Sequence, residues 1–383
     1  MAALLIKSGK VITMDNRIYE KADILVEDGK IMDIREEINI NCEVIDAKGL
    51  TVLPGFIEAH SHIGIEEPNN ENPGNLNELS SPITPHLNGL DGVNYFDESF
   101  EKALKNGITT IATGPGSANV IGGTFSILKT YGSPLNKIFK NKSSMKAALG
   151  DNPKRIYSSK GKAPFTKMAI ASMIKDTLDS TIAYKNKKII KTNKKEYFEE
   201  NKIYEEMIPV IEGKMPLSVH AHRADDIIVA LRIADEYKIN LQLLHVTEGL
   251  KLIDEIKNQN IPCIIGPLMS FSKKVETKNK DYSIGKEFSK KGILTAITTD
   301  HPVVPIEYLT ISAGLCVREG MDYMEALKSI TINPAKILGI DRKVGSIEVG
   351  KDADIVIIEG KPLEVMSKVR YVVGKGKLVY KLK

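Results

Sequence analysis

The chain has 383 residues, 42% hydrophobic and 27% charged, with 53 basic against 49 acidic side chains and a net charge of +4. That is the make-up of a globular protein with ample core, and the charge is too mild to point to nucleic acid or an anionic membrane surface. Three scattered cysteines, Cys42, Cys263 and Cys316, exclude a disulfide framework or a cysteine-built zinc site. No apolar run approaches the length of a membrane span. The opening apolar run stops at Lys7, short of a secretory core, so the expectation is a soluble cytoplasmic protein.

Short strands are predicted at residues 4–6, 10–13, 22–26, 30–34 and 44–46, separated by turn signals such as Asp28-Gly29. From residue 54 the pattern changes. Strands at 107–113, 219–222, 241–246, 261–265 and 292–298 alternate with helices at 224–237, 249–258 and 323–330. Residues 164–213 are polar and Lys-rich, with helical spacing at Met168, Ile170, Met173, Ile174 and Leu178; they read as helices outside the core, a solvated pair or part of a lid. Strand grammar returns at 353–358, 369–373 and 377–380. The expected fold is therefore α/β: a parallel (β/α)8 barrel over residues 54–340, and a small composite β-sandwich built from residues 1–53 and 341–383. An open doubly wound sheet is the alternative, but no GxGxxG turn follows an early strand.

Six of the seven histidines close apolar runs. His60 and His62 end Leu53-Pro-Gly-Phe-Ile-Glu-Ala-His-Ser-His62. His220 and His222 repeat that spacing just before a helix. His245 ends Leu243-Leu-His245, and Asp300-His301 follow Ile297-Thr-Thr. Residues i and i+2 of a strand point the same way, so each His-x-His pair is a ready chelate. In a barrel the strand C-termini share one mouth, which lets these distant residues meet around one or two metal ions. His86, in the Pro- and Asn-rich stretch 69–88 that is long enough to cover the mouth, reads as a surface histidine.

With these motifs the chain resembles the amidohydrolase superfamily of metal-dependent hydrolases, and within it the imidazolonepropionase-related and prolidase-like group. Residues 54–62 match its first-strand motif, and Gly345-Ser-Ile-Glu-Val-Gly-Lys-Asp-Ala-Asp-Ile-Val356 matches its return to the sandwich. The resemblance implies His60 and His62 as ligands of one metal, with Asp300 as a further ligand and proton acceptor. It implies His220 and His245 as ligands of a second, and a carboxylated lysine bridging the two. Lys146, in Ser144-Met-Lys-Ala-Ala-Leu-Gly150, matches that lysine best, with Lys129 the competitor; if neither bridges, the site holds one metal. His222 stands in for His220 or contacts substrate, and His301 orients Asp300, binds the intermediate or merely packs. Zinc is the default ion, since imidazole and carboxylate suit it, although manganese, iron or nickel also fit. Asn119 in the Gly-rich loop 113–123, Tyr131, Arg155 and Tyr157 are candidate substrate-wall residues, and Arg223 a partner for a substrate carboxylate or for Asp225.

The implied activity is hydrolysis of a C–N bond in a cyclic amide or small peptide, with Asp300 as general acid/base. The partner is a small-molecule substrate; a homo-oligomer is compatible. A deaminase of the same superfamily is the alternative enzyme, weakened because Asp225 and Asp226 replace its expected glutamate. A hydantoinase-like scaffold without activity is the non-enzymatic alternative.

Overall fold

The computed structural model describes residues 3–66, 75–270 and 275–383. The chain opens with β1 (Ala3–Ile12), β2 (Ile18–Glu27), β3 (Lys30–Arg35), β4 (Glu43–Asp46) and β5 (Thr51–Pro54). β6 (Phe56–Ser61) leads through α1 (Glu98–Lys105) to β7 (Ile108–Thr113), β8 (Ile121–Lys129) and β9 (Ile138–Ala148). Helices α2 (Asp151–Ser158), α3 (Lys167–Asn193) and α4 (Lys202–Ile211) precede β10 (Leu217–Ala221). There follow α5 (Ala224–Tyr237), β11 (Leu241–His245), α6 (Ile253–Asn258), β12 (Cys263–Ile265), α7 (Ile284–Lys290) and β13 (Thr295–Ile297). After α8 (Leu309–Arg318), α9 (Tyr323–Lys328) and α10 (Ile332–Ile337), the chain closes with β14 (Ile355–Glu359), β15 (Lys368–Gly374) and β16 (Lys377–Lys381). No helix among the described residues is long and apolar enough to cross a membrane.

Both ends of the chain build one eight-stranded sheet, ordered β16-β15-β14-β5-β1-β2-β3, with β4 also on β1. The join is β14 against β5, antiparallel, with Val356 opposite Leu53. Leu4, Ile6, Ile24, Val26, Ile355 and Ile357 form its own apolar cluster. The Asp28-Gly29 turn has positive φ at both residues (49° and 80°), as a tight two-residue hairpin turn requires. A side chain on Gly29 would also lie 2.9 Å from the Lys375 carbonyl, so the turn packs directly on the C-terminal hairpin.

The second sheet is a nearly closed eight-stranded barrel, ordered β13-β12-β11-β10-β9-β8-β7-β6. It departs from the expected all-parallel barrel at one strand: β8 runs antiparallel to both β7 and β9. The cause is loop length. Residues 114–120 and 130–137 are too few for a crossover that returns a strand in parallel, which takes a dozen residues or more, so the chain makes two hairpins. Elsewhere helices connect parallel strands as expected. In α5, Ile227, Ala230, Leu231, Ile233 and Ala234 are buried at helical spacing, and Lys238 in the left-handed conformation ends it. In α3 the buried residues Ile170, Ile174, Thr177, Leu178 and Thr181 all lie before residue 182, and the rest packs on α4 outside the barrel. Neither helix lines the central cavity.

Inverting β8 sends its C-terminal end to the base of the barrel. There the buried Lys129 Nζ donates to Asp354 Oδ2 (2.6 Å) and Thr110 Oγ1 (2.9 Å), and the Tyr131 hydroxyl donates to Asp354 Oδ1 (2.6 Å). Asp354 immediately precedes β14, so this pair bolts the barrel to the terminal sheet. Lys129→Met leaves the Asp354 charge buried without its cation and should cost about 3–5 kcal/mol in urea unfolding. A loss of about 1 kcal/mol or less, as for an exposed pair, would show that the bolt carries little.

Candidate metal centre

β6 is buried along its whole length, and its alternation sends His60 and then His62 to the barrel mouth. β10 delivers His220 and His222, β11 ends at His245, and Asp300 stands three residues beyond β13. Three residues at this mouth, His245 (φ 73°), Val246 (52°) and Asp300 (53°), hold backbone conformations that non-glycine residues rarely adopt. For β-branched Val246 this is strain of the kind found at functional sites.

The imidazoles are fixed from behind. His62 Nδ1 lies 2.8 Å from Gly114 O and His245 Nδ1 2.8 Å from Gly266 O. A carbonyl only accepts, so both rings carry the proton on Nδ1 and present the Nε2 lone pair. His222 Nδ1 lies 2.7 Å from Thr247 Oγ1. Phe125 of β8 stacks on His60 with centroids 4.9 Å apart. The Phe125 ring lies 2.3 Å from where a side chain on residue 114 would begin, so only glycine lets it pass there.

Asp300 Oδ1 is 3.4 Å from both His60 Nε2 and His62 Nε2, and Lys146 Nζ is 3.3 Å from His60 Nε2. Among the described residues there are two groups, each with its three ligand atoms within 4.8 Å of one another: His60, His245 and Asp300, and His220, His222 and His245. His245 belongs to both. Burial raises the Asp300 carboxyl, but His245, His60 and His62 outweigh it and hold it well below the usual carboxylate range. Burial, helped by Lys146, pushes His60 down to about 3, and burial keeps His245 well below its ordinary value. Burial also brings the Lys146 ammonium down to about 7, against the pull of Asp300. Neutral imidazoles and an ionised carboxylate are the protonation states that a divalent cation needs, so the donor set fits one.

Above this cluster opens a cavity of about 700 Å³. His60, His62, Lys146, His220, His222, His245, Asp300 and Arg155 all line it. Other predicted residues lie elsewhere. Tyr131 and Lys129 sit at the barrel base, carried there by the inverted β8. Asn119 Nδ2 is used by Glu78 O (2.7 Å), Ser81 O (3.2 Å) and Thr84 Oγ1 (2.8 Å), and the Tyr157 hydroxyl donates to Ser81 O (2.7 Å); both brace the loop below the rim. Arg223 Nε donates to Asp225 Oδ1 (3.0 Å). His301 accepts the Ile306 amide on Nδ1 (3.1 Å), its carbonyl takes the His62 amide (2.8 Å), and it is buried without lining the cavity. Of the stretch 69–88, residues 69–74 lie outside the described residues; Leu76 and Asn77 line the cavity and His86 is exposed. Sequence reasoning passed over Asn152, Lys280 and Tyr308, which also line it. It passed over Glu58 as well, although an acid inside an apolar strand two residues before His60 was a visible signal.

Residues 51–379 match the Amidohydrolase family. The chain belongs to the amidohydrolase family. Among amidohydrolases it is similar to the crystal structure of an amidohydrolase from Thermotoga maritima MSB8, with 37% identity, a TM-score of 0.96, and coverage of 99% of this chain and 100% of that one. It is 25% identical to a dihydroorotase of Aquifex aeolicus, covering the whole of both chains. It is also 25% identical to an imidazolonepropionase of Picrophilus torridus, over 93% of this chain and 91% of that protein. Amidohydrolase tasK of Hapsidospora irregularis, 25% identical over 90% of this chain, is longer, and the match spans 38% of it.

Glu248 braces the amidohydrolase mouth: its amide donates to His222 O (2.8 Å) and its Oε2 accepts the Ala224 amide at the start of α5 (2.9 Å). Burial raises its carboxyl, but the bonds from Ala224, Asn279 and Lys251 prevail and hold it at about 2. A depressed carboxylate contributes stability above its unfolded value, about 4.3, and loses it as the pH falls towards the folded one. Glu248→Gln should therefore flatten the acid limb of stability between pH 4.5 and 2. Acid limbs that run parallel in denaturant melts would contradict this.

Proposed function

We propose that the chain is a metal-dependent amidohydrolase cleaving a carbon–nitrogen bond in a cyclic amide or small peptide. The observation that carries the reading is the pair of three-donor groups sharing His245, with the buried Lys146 amine against His60. His60, His62 and Asp300 hold one divalent ion, by default zinc, and His220 and His245 hold a second, with His222 joining or replacing His220. An ion held by these donors supplies Lewis acidity and a readily ionised water. The Asp300 carboxylate, held well below the usual carboxylate range, takes the proton of the attacking water and passes it to the departing nitrogen. Lys146 carries carbon dioxide as a carbamate, since an amine brought down to about 7 is often neutral and nucleophilic near physiological pH. Arg155 and Lys280, on the cavity wall, offer charge to a substrate carboxylate.

The relatives named dihydroorotase and imidazolonepropionase put cyclic amides first in a substrate screen, and an imidazolonepropionase-like specificity is one form of this reading. The terminal sheet is taken as the composite sandwich domain, 1–53 with 341–383, around a hydrolase barrel of 54–340. The deaminase alternative gains nothing from the turn after His222: Asp225 and Asp226 both accept from Lys167 Nζ (2.8 and 2.9 Å) and line no part of the cavity.

Elemental analysis should find one or two divalent ions per chain, and intact-mass spectrometry the mass of one carbon dioxide on Lys146 when two are present. A protein that takes up none after reconstitution would end the metal reading. Asp300→Asn should keep metal but lower kcat by about a hundred- to ten-thousand-fold on any amide the parent hydrolyses. Near-parent turnover in that variant would remove Asp300 from proton transfer.

A further inference from the structure

The barrel has a seam. β6 and β13 are the two ends of its hydrogen-bonded order, and among the described residues no ladder joins them. At the lower half of the seam the main chain ahead of α10 fills the gap: Ile57 N donates to Ile330 O (2.8 Å) and Ile297 N to Ser329 O (3.0 Å). At the upper half, level with the donors, one side chain reaches across. Glu58 is fully buried. Its Oε1 accepts the His60 amide (3.1 Å), and its Oε2 accepts both the Thr299 amide (2.9 Å) and the Thr299 hydroxyl (2.7 Å). Thr298 completes the bridge, its hydroxyl donating to His60 O (2.6 Å) while accepting the Asp300 amide (2.9 Å). Both main-chain polar groups of His60 are thus tied, through Glu58 and Thr298, to the segment that carries Asp300.

We propose that Glu58 is the positioning residue of the centre, a strap across the barrel seam that sets the separation of His60 and Asp300. The chemistry of the side chain is specific. Three donors converge on its two oxygens, and a carboxyl side chain offers acceptor lone pairs on both. Glutamine turns an amide N–H against one of those donors, and aspartate falls one methylene short of the far strand. The strap stands on hydrogen bonds alone; its effect on metal affinity rests on the metal reading above.

The test compares the full-length parent with Glu58→Gln and with Asp354→Asn, which loosens the bolt at the opposite end of the barrel. In hydrogen–deuterium exchange, Glu58→Gln should speed exchange about tenfold in residues 56–62 and 297–301 together, with the rest of the barrel unchanged. Asp354→Asn should loosen the terminal sheet and leave both segments as they are. In competition with a chromophoric chelator, Glu58→Gln should weaken zinc binding about ten- to a hundredfold, the range for groups that orient ligands, and Asp354→Asn should not. If Glu58→Gln does not fold, Thr299→Val removes one of the three bonds and should open the same two segments to a smaller degree. Exchange that rises evenly over the chain, or stays at parent rates in both segments, overturns the strap. A parent that binds no zinc removes the metal reading only, because the exchange pattern decides the strap without it.

Discussion

The Nδ1 protons of His62 and His245 each rest on a main-chain carbonyl, and the donor cluster depends on those two bonds. Were either ring free to change tautomer, its Nε2 would carry the proton and have no lone pair left to offer a cation. With Nδ1 committed, Nε2 is an acceptor pointed at the cavity. His245 matters most, because it belongs to both donor groups. The carbonyls are themselves placed by the barrel: residue 114 follows β7 and residue 266 follows β12, so each ring is held by the end of a neighbouring strand.

Burying so many polar groups at one mouth demands that the scaffold around them be nearly saturated. Lys129 with Asp354 at the base, and Glu58 with Thr298 and Thr299 at the mouth, are ties of the same kind: a buried acidic side chain with several good hydrogen bonds joining elements far apart in sequence. The difference lies in what each one joins. The basal tie fastens two sheets and touches nothing chemical. The one at the mouth lies between His60 and the segment that carries Asp300.

Much of the centre was legible in the chain because a strand has a period of two. His60 with His62 and His220 with His222 can be placed on one side from spacing alone, and strand ends in a barrel share a mouth, so His245 and Asp300 follow. Lys146 could be read from its position on an apolar strand ahead of Gly150. Strand direction is another matter, since an apolar run reads the same both ways. Residues 113–123 read as a loop and no strand is expected over 121–129, so nothing in the sequence showed that Lys129 and Tyr131 lie at the base. Asn119 and Tyr157 misled for a different reason: polar side chains beside a pocket look available until their main-chain partners are seen. Glu58 was visible, but its three donors come from two strands at opposite ends of the barrel order, and no local pattern connects them.

The bolt between Lys129 and Asp354 also imposes an order of events during synthesis. A ribosome makes β8 more than two hundred residues before it reaches Asp354. Until then the Lys129 ammonium lacks the carboxylate that it meets in the finished barrel. The nascent barrel is therefore unfinished while the ribosome still covers residues 354–381, and its completion waits for the strands made last to fold back onto the first.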